Sequence, residues 1–183
     1  MNLLAFDIET VPDVEAGARQ YGIDAGSAAE VDQKLREIRL EEAGTDFLRH
    51  HLHQVVAISV VMRREDWVRV WFLGTLDSDE RDLVSRFFEG IERYTPQLIS
   101  WNGSGFDLPV LHYRAMRHTL SAPRYWAGGE DDPGFRYNSY VNRYHERHTD
   151  VMDVLSAFQP RASVGLDALA GLLGFPEIGR AHV

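Results

Sequence analysis

Leu3-Leu4-Ala5-Phe6-Asp7-Ile8-Glu9-Thr10 is an apolar run interrupted by two carboxylates one residue apart. A short apolar run at the head of a chain reads as a buried strand, and alternation along a strand sends Asp7 and Glu9 to one face. Two like charges on a core strand repel and are costly to desolvate. They are tolerated where a cation neutralises them or where they meet water at a sheet edge. Carboxylate oxygens suit a hard divalent ion such as Mg2+ or Mn2+, and the chain has no cysteine to suggest a softer one. The same pattern also describes a frayed strand end carrying two exposed, inert acids.

At 183 residues the chain suits one domain with a sizeable core. Its 44% hydrophobic and 26% charged residues are those of a globular protein. The expectation is no membrane partner, because no apolar run is long enough to span a bilayer. The N-terminus lacks the basic flank and cleavage site of a signal peptide, so the expected location is cytoplasmic. The absence of cysteine excludes a disulfide framework. A formal net charge of -9 argues against a protein that coats nucleic acid electrostatically, but not against an enzyme that grips a few nucleotides through metals.

Val11-Pro12-Asp13 is expected to break the first strand. Residues 28–49, with Val31, Leu35 and Ile38 at helical spacing, predict a surface helix. His50, His51 and His53 invite a metal-site reading, though neighbouring histidines in a polar junction are more simply surface. Gln54 to Met62 is a β-branched strand, and Trp67 to Leu73 is its hairpin partner across residues 63–66, giving an antiparallel meander with the first strand. Asp79 to Tyr94 is an amphipathic helix with Asp77 or Ser78 as cap. Pro96 to Trp101 follows as a short strand parallel to the first, since a helix connects back to it.

The second informative stretch is Asn102-Gly103-Ser104-Gly105-Phe106-Asp107-Leu108-Pro109. Two glycines make a tight turn from strand into helix, and Asp107 falls where that helix starts, aimed at the C-terminal edge of the sheet. Asp107 is either a plain N-cap or a third acid converging on Asp7 and Glu9. Beyond the helix from Leu108 to about His118 lies an irregular passage, residues 121–144. Arg136, Arg143 and Arg147 interleave there with Tyr137, Tyr140 and Tyr144, which suits either a grip on single-stranded nucleic acid or a loop packed on a core. His148 to Leu155 begins as a strand and runs into a helix. Ser163 to Pro176 reads as a helix with a Ser cap, a Gly stop and a following Pro.

Phe6-Asp7-Ile8-Glu9-Thr10 resembles the first motif of the DEDD 3'-5' exonucleases, and Trp101-Asn102-Gly103-Ser104-Gly105-Phe106-Asp107 resembles their second motif in its Asn-x-x-x-Phe-Asp form. That form is similar to the proofreading domains of family B DNA polymerases, and more closely to the stand-alone bacterial proteins described as predicted PolB-like 3'-5' exonucleases. Asp150 to Leu155 and Leu166 to Ala170 fit the strand and helix that follow in such domains. The resemblance, over residues 1–176, implies an α/β fold of the ribonuclease H-like type, a mixed five-stranded sheet flanked by helices. It implies two Mg2+ or Mn2+ ions, with Asp7 bridging both, Glu9 on the ion that holds the attacking water and Asp107 supporting the second. Thr10, Asn102 and Phe106 would contact the terminal nucleotide. The implied partner is a single-stranded 3' end, more readily DNA than RNA; protein partners are left open.

The family also carries a third motif, Tyr-x-x-x-Asp or His-x-x-x-x-Asp. No Tyr here has an Asp four residues on. His145 with Asp150 and His148 with Asp153 have the histidine spacing, but they precede the Leu-Asp-x-Leu-Ala helix that the motif follows in the family, so they read as decoys. Residues 177–183 look like translated adaptor sequence, and the expectation is an inactive fragment, cut before the third motif. Loss of a C-terminal helix is expected to leave apolar surface around Leu4 and Phe6 uncovered. Two other readings stand beside the exonuclease: a non-catalytic ribonuclease H-like module that binds nucleic-acid ends or a protein, and an endonuclease of ribonuclease H or integrase type. Three retained acids speak against the first, and the two motifs against the second.

Overall fold

The computed structural model describes residues 2–24 and 26–175. The expected adaptor-like tail, 177–183, lies outside the described residues, as does Pro176. Five strands form one sheet in the order β3-β2-β1-β4-β5: β1 Leu3–Pro12, β2 His53–Arg64, β3 Trp67–Phe72, β4 Gln97–Ser100 and β5 His148–Asp150. β1, β2 and β3 are antiparallel neighbours, while β4 and β5 run parallel to β1. The helices are α1 Val14–Tyr21, α2 Ala28–Ala43, α3 Glu80–Tyr94, α4 Asp107–Arg117, α5 Pro123–Trp126, α6 Val151–Leu155 and α7 Leu166–Leu172. Among the described residues no helix is long and apolar enough to cross a membrane.

The alternation of β1 decides which face is core. Leu4, Phe6 and Ile8 are buried against α3, with the Phe6 and Phe87 rings 5.0 Å apart, while Asp7 and Glu9 are exposed on the other face. On α3, Leu83, Val84, Phe87, Phe88 and Ile91 recur on one stripe, and all are buried. The expectation that Leu4 and Phe6 stand uncovered is overturned: α3 packs on them. Exposed apolar side chains lie elsewhere, among them those of β3 and of the stretch around α6 and α7.

Several local expectations shift. β1 does not break at Val11; it runs on to Pro12, paired only with β2, because β4 accompanies β1 only from Leu3 to Ala5 and leaves the far edge free for a residue without an N–H. Asp13 then caps α1, a helix that sequence periodicity missed, by accepting the Ala16 N–H. The cap of α3 is Asp79, not Asp77 or Ser78. Ser163 does not cap α7: its hydroxyl donates to Pro160 O, and Gly165 holds the cap position. α2 ends at Ala43, before the expected Arg49, where Gly44 takes φ 69°.

Candidate active site

The first site element is the irregular stretch of β1. Between Glu9 and Thr10 the register with β2 slips, Glu9 facing Ala57 and Thr10 facing Val55, so that Val56 is an extra residue. Such a bulge bends a strand and re-aims its side chains. It sits immediately after Asp7 and Glu9.

The second element is the turn from β4 into α4. Asn102 adopts φ 59°, and its carbonyl accepts the N–H groups of Gly105 and Phe106. Asp150, at the end of β5, locks the turn: one carboxylate oxygen accepts the Asn102 N–H at 2.9 Å and the other the Ser104 N–H at 2.9 Å. A Cβ at Gly103 would lie 2.3 Å from Ser100 Oγ, so this turn passes too close to β4 for a side chain there.

The turn delivers Asp107 as the first residue of α4. Phe106 holds the cap position and makes no side-chain cap bond, so the N-cap reading of Asp107 is overturned. The Asp107 carboxylate instead accepts the Ile8 N–H at 3.2 Å, ninety-nine residues back, on the strand that bears Asp7 and Glu9. Asp107 is buried, and its pKa is pushed up to about 7, first by burial and next by the nearby negative charge of Asp7. Burial also raises Asp7, partly offset by the Ile8 backbone. Asp7 and Asp107 are therefore close enough that the charge of Asp7 opposes ionisation of Asp107. Glu9 stands on the same face of β1 as Asp7. Among the described residues no three His, Asp or Glu side chains are already drawn together as a metal-binding cluster.

Thr10 and Phe106 meet through the histidines that follow α2. His53 is buried; its Nδ1 pairs with the Thr10 hydroxyl at 3.0 Å and its ring stands edge-on to Phe106, centroids 5.1 Å apart. His50 Nε2 bonds Gly105 O at 2.9 Å, and His51 bonds Gln20. His50 and His53 thus brace the site while His51 faces α1, and the three are not gathered as ligands. The ring of Phe47, 50% exposed, lies 5.6 Å from that of Phe106. No periodicity marks these contacts, because each joins segments distant along the chain. Asn102 is exposed at the same turn.

The histidine pairs with third-motif spacing are absorbed by the scaffold. His148 is buried on Ser100 Oγ at 2.8 Å, and His145 Nδ1 accepts the Ser139 N–H. Asp150 holds the turn, and Asp153 forms a two-pronged ion pair with Arg143. The interleaved arginines and tyrosines are largely structural too: Arg147 bonds Asn138 O and lies over Phe135, and Tyr140 is buried with its hydroxyl on Pro96 O. Tyr137 and Tyr144 are exposed.

A buried ion cluster fixes the elements around the site. The Arg114 guanidinium, 2% exposed, donates to Glu80 of α3 and to Asp13 at the end of β1, and Glu80 also accepts the Val55 N–H at 2.7 Å. Burial would raise Asp13, but the Ala16 N–H and Arg114 outweigh it and hold the carboxyl below its ordinary value.

Likeness to known proteins agrees with this geometry. Residues 45–181 match the family described as "Predicted 3'-5' exonuclease related to the exonuclease domain of PolB". The chain belongs to that family. DNA polymerase 1 of Sulfurisphaera ohwakuensis is 27% identical over an alignment of 117 residues that covers 54% of this chain and 13% of that protein. The catalytic polypeptide of DNA polymerase epsilon from Dictyostelium discoideum is 33% identical over 94 residues, 51% of this chain and 4% of that protein. The chain therefore spans a small part of these polymerases. The structure of the family B DNA polymerase from Pyrobaculum calidifontis shares the fold, with a TM-score of 0.51 at 17% identity over 97% of this chain and 19% of that one. The PolB-like exonuclease match begins after β1, so it does not reach Asp7 and Glu9.

Proposed function

We propose that this PolB-like domain is a two-metal-ion 3'-5' exonuclease that removes nucleotides from the 3' end of single-stranded DNA, with RNA as the second substrate class. The observation that carries the reading is the Asp107 carboxylate seated on the Ile8 N–H, beside Asp7. It joins two separate motifs at the C-terminal edge of the sheet, where open α/β sheets bind ligands.

The donor set fits Mg2+ or Mn2+. Asp7, Glu9 and Asp107 offer hard oxygen ligands, and the burial and charge crowding that raise Asp107 are what a cation relieves. When bound, such ions polarise the scissile phosphate and lower the pKa of a water to make it a nucleophile. The residues around them have separate tasks. The buried Asp107 is oriented by the Ile8 amide, and Glu9 and Asp7 project from the bent end of β1. Thr10, held by His53, and Asn102 supply polar contacts to the terminal nucleotide, and the Phe106 ring supplies a stacking surface.

The described residues offer no fourth carboxylate with a water-orienting Tyr or His, since both histidine pairs are engaged elsewhere. We therefore read the 183-residue chain as nearly inactive alone, as general-base orientation contributes about a hundredfold or more. The test is release of 3' nucleotides with Mg2+ or Mn2+, by the chain and by a relative that carries all the motifs. Asp7→Ala should silence the relative; metal-independent release, or full activity in that variant, refutes the mechanism. If residues 1–183 match the relative, and His145→Ala or His148→Ala then silences them, the histidine pair is catalytic.

A further inference from the structure

β3 ends the sheet and is paired only with β2, along six residues. All six are exposed, and all but Arg69 are apolar, on both faces. By register, Val68, Val70 and Phe72 share the face of Ser59 and Asp7, and Val70 and Phe72 are 73% and 71% exposed. Trp67, Arg69 and Trp71 point toward α3 and line a groove of about 770 Å³ floored by Leu4, Val60 and Met62. A long apolar edge strand, exposed on both faces, is a template for pairing that soluble proteins otherwise blunt.

Four arginines and one acid, Glu89, which bonds Ser85, line the groove, so it is net cationic in a chain of formal net charge -9. Of the arginines lining it, Arg86 is paired with Asp82, whereas Arg64 bonds the Asn2 amide, Arg69 lies over the Trp67 ring and Arg93 over Tyr94. Among the described residues no ion pair neutralises these last three. We propose that the free edge of β3 binds an extended, acidic segment of a partner protein, which adds to the sheet as a further strand.

A strand accounts for what other occupants do not. A helix laid in the groove would cover Trp67 and Trp71 but leave Val68, Val70 and Phe72 in water. Bases would find the Trp67 ring already occupied by the Arg64 and Arg69 guanidinium groups, and the groove opens on the face of β1 opposite Asp7 and Glu9. A second copy of this chain would bring the same arginines to the same seam. An added strand makes main-chain bonds along the edge and sends alternate side chains to opposite faces, its acids to the groove where the arginines lie and its apolar residues to the face of Val68, Val70 and Phe72.

The test uses a fluorescein-labelled peptide alternating Val or Ile with Asp or Glu, its lysine counterpart with the same apolar residues, and a version N-methylated at alternate amides. Fluorescence anisotropy with the full chain should show the acidic peptide binding about tenfold or more tighter than the lysine one. The N-methylated peptide should not bind, and Arg69→Glu with Arg93→Glu should reverse the charge preference while leaving the circular dichroism spectrum unchanged. Equal binding of acidic and basic peptides, or indifference to the double substitution, overturns the proposal. So does displacement of the peptide by an oligothymidylate, which assigns the edge to nucleic acid. A dimer in sedimentation that Val70→Arg disperses assigns it to a second copy.

Discussion

The Asp107 carboxylate accepts the Ile8 N–H at 3.2 Å, at the level where β4 no longer accompanies β1. Pairing between the two strands stops at Ala5 and Ile99, so the Ile8 amide lacks a strand acceptor on that side, and the start of α4 supplies one. A single bond thus satisfies a buried donor and brings a third acid to the strand of Asp7 and Glu9. The acid is held in place at an electrostatic cost.

A divalent cation should relieve that cost. Titration with Mg2+ or Mn2+ is expected to raise the thermal midpoint, by the equivalent of about 2–3 kcal/mol when the metal exceeds its Kd a hundredfold. Asp107→Asn and Asp7→Ala should each abolish the increase. A shift that survives both substitutions places the metal elsewhere.

Asp150 is expected to matter without touching a metal. It accepts three backbone N–H groups, from Asn102, Ser104 and Met152, so Asp150→Asn turns an amide donor toward at least one of them. Urea denaturation should show a loss of about 2–3 kcal/mol. A loss within error of zero would show that the turn holds itself.

Arg114→Met should be among the most damaging substitutions outside the acids. It strands the buried carboxylates of Glu80 and Asp13, at a cost of about 3–5 kcal/mol. Arg117, partly in water and 3.8 Å from Asp13, should cost less than about 1 kcal/mol when replaced by Met. Equal losses in the two melts would refute the division of labour.

His112 gives a pH dependence. Burial pushes its pKa down to about 4, and its Nε2 pairs with the Tyr125 hydroxyl at 2.9 Å. The unfolded chain takes up this proton near pH 6.5 and the folded chain only near 4, so stability from neutral His112 is complete above 6.5 and is lost as pH falls toward 4. Discounted for the partial exposure of the ring, the loss is about 2 kcal/mol. The fall in thermal midpoint between pH 7 and about 4.5 should be smaller in His112→Gln than in the parent. Equal falls exclude His112 as the cause.

What the chain determined by itself is what short-range pattern carries. Period-two alternation put Leu4, Phe6 and Ile8 inward and Asp7 and Glu9 outward, and the stripe from Leu83 to Ile91 built α3. The paired glycines set the turn that starts α4, and the two motifs pointed to the family before any coordinate did. These features depend on steric preference and burial within a few residues. Tertiary structure decided the rest. It made Asp107 a partner of Ile8 and not a cap, turned His53 and His50 into braces for Thr10 and Gly105, and closed Arg114 over Glu80 and Asp13. It also gave Asp150 and His148, whose motif-like spacing had read as a decoy, their partners in the scaffold. Each of these contacts joins segments far apart in the chain. Their energies depend on the direction in which a side chain leaves its element and on what desolvation leaves as its only partner, neither of which local spacing contains.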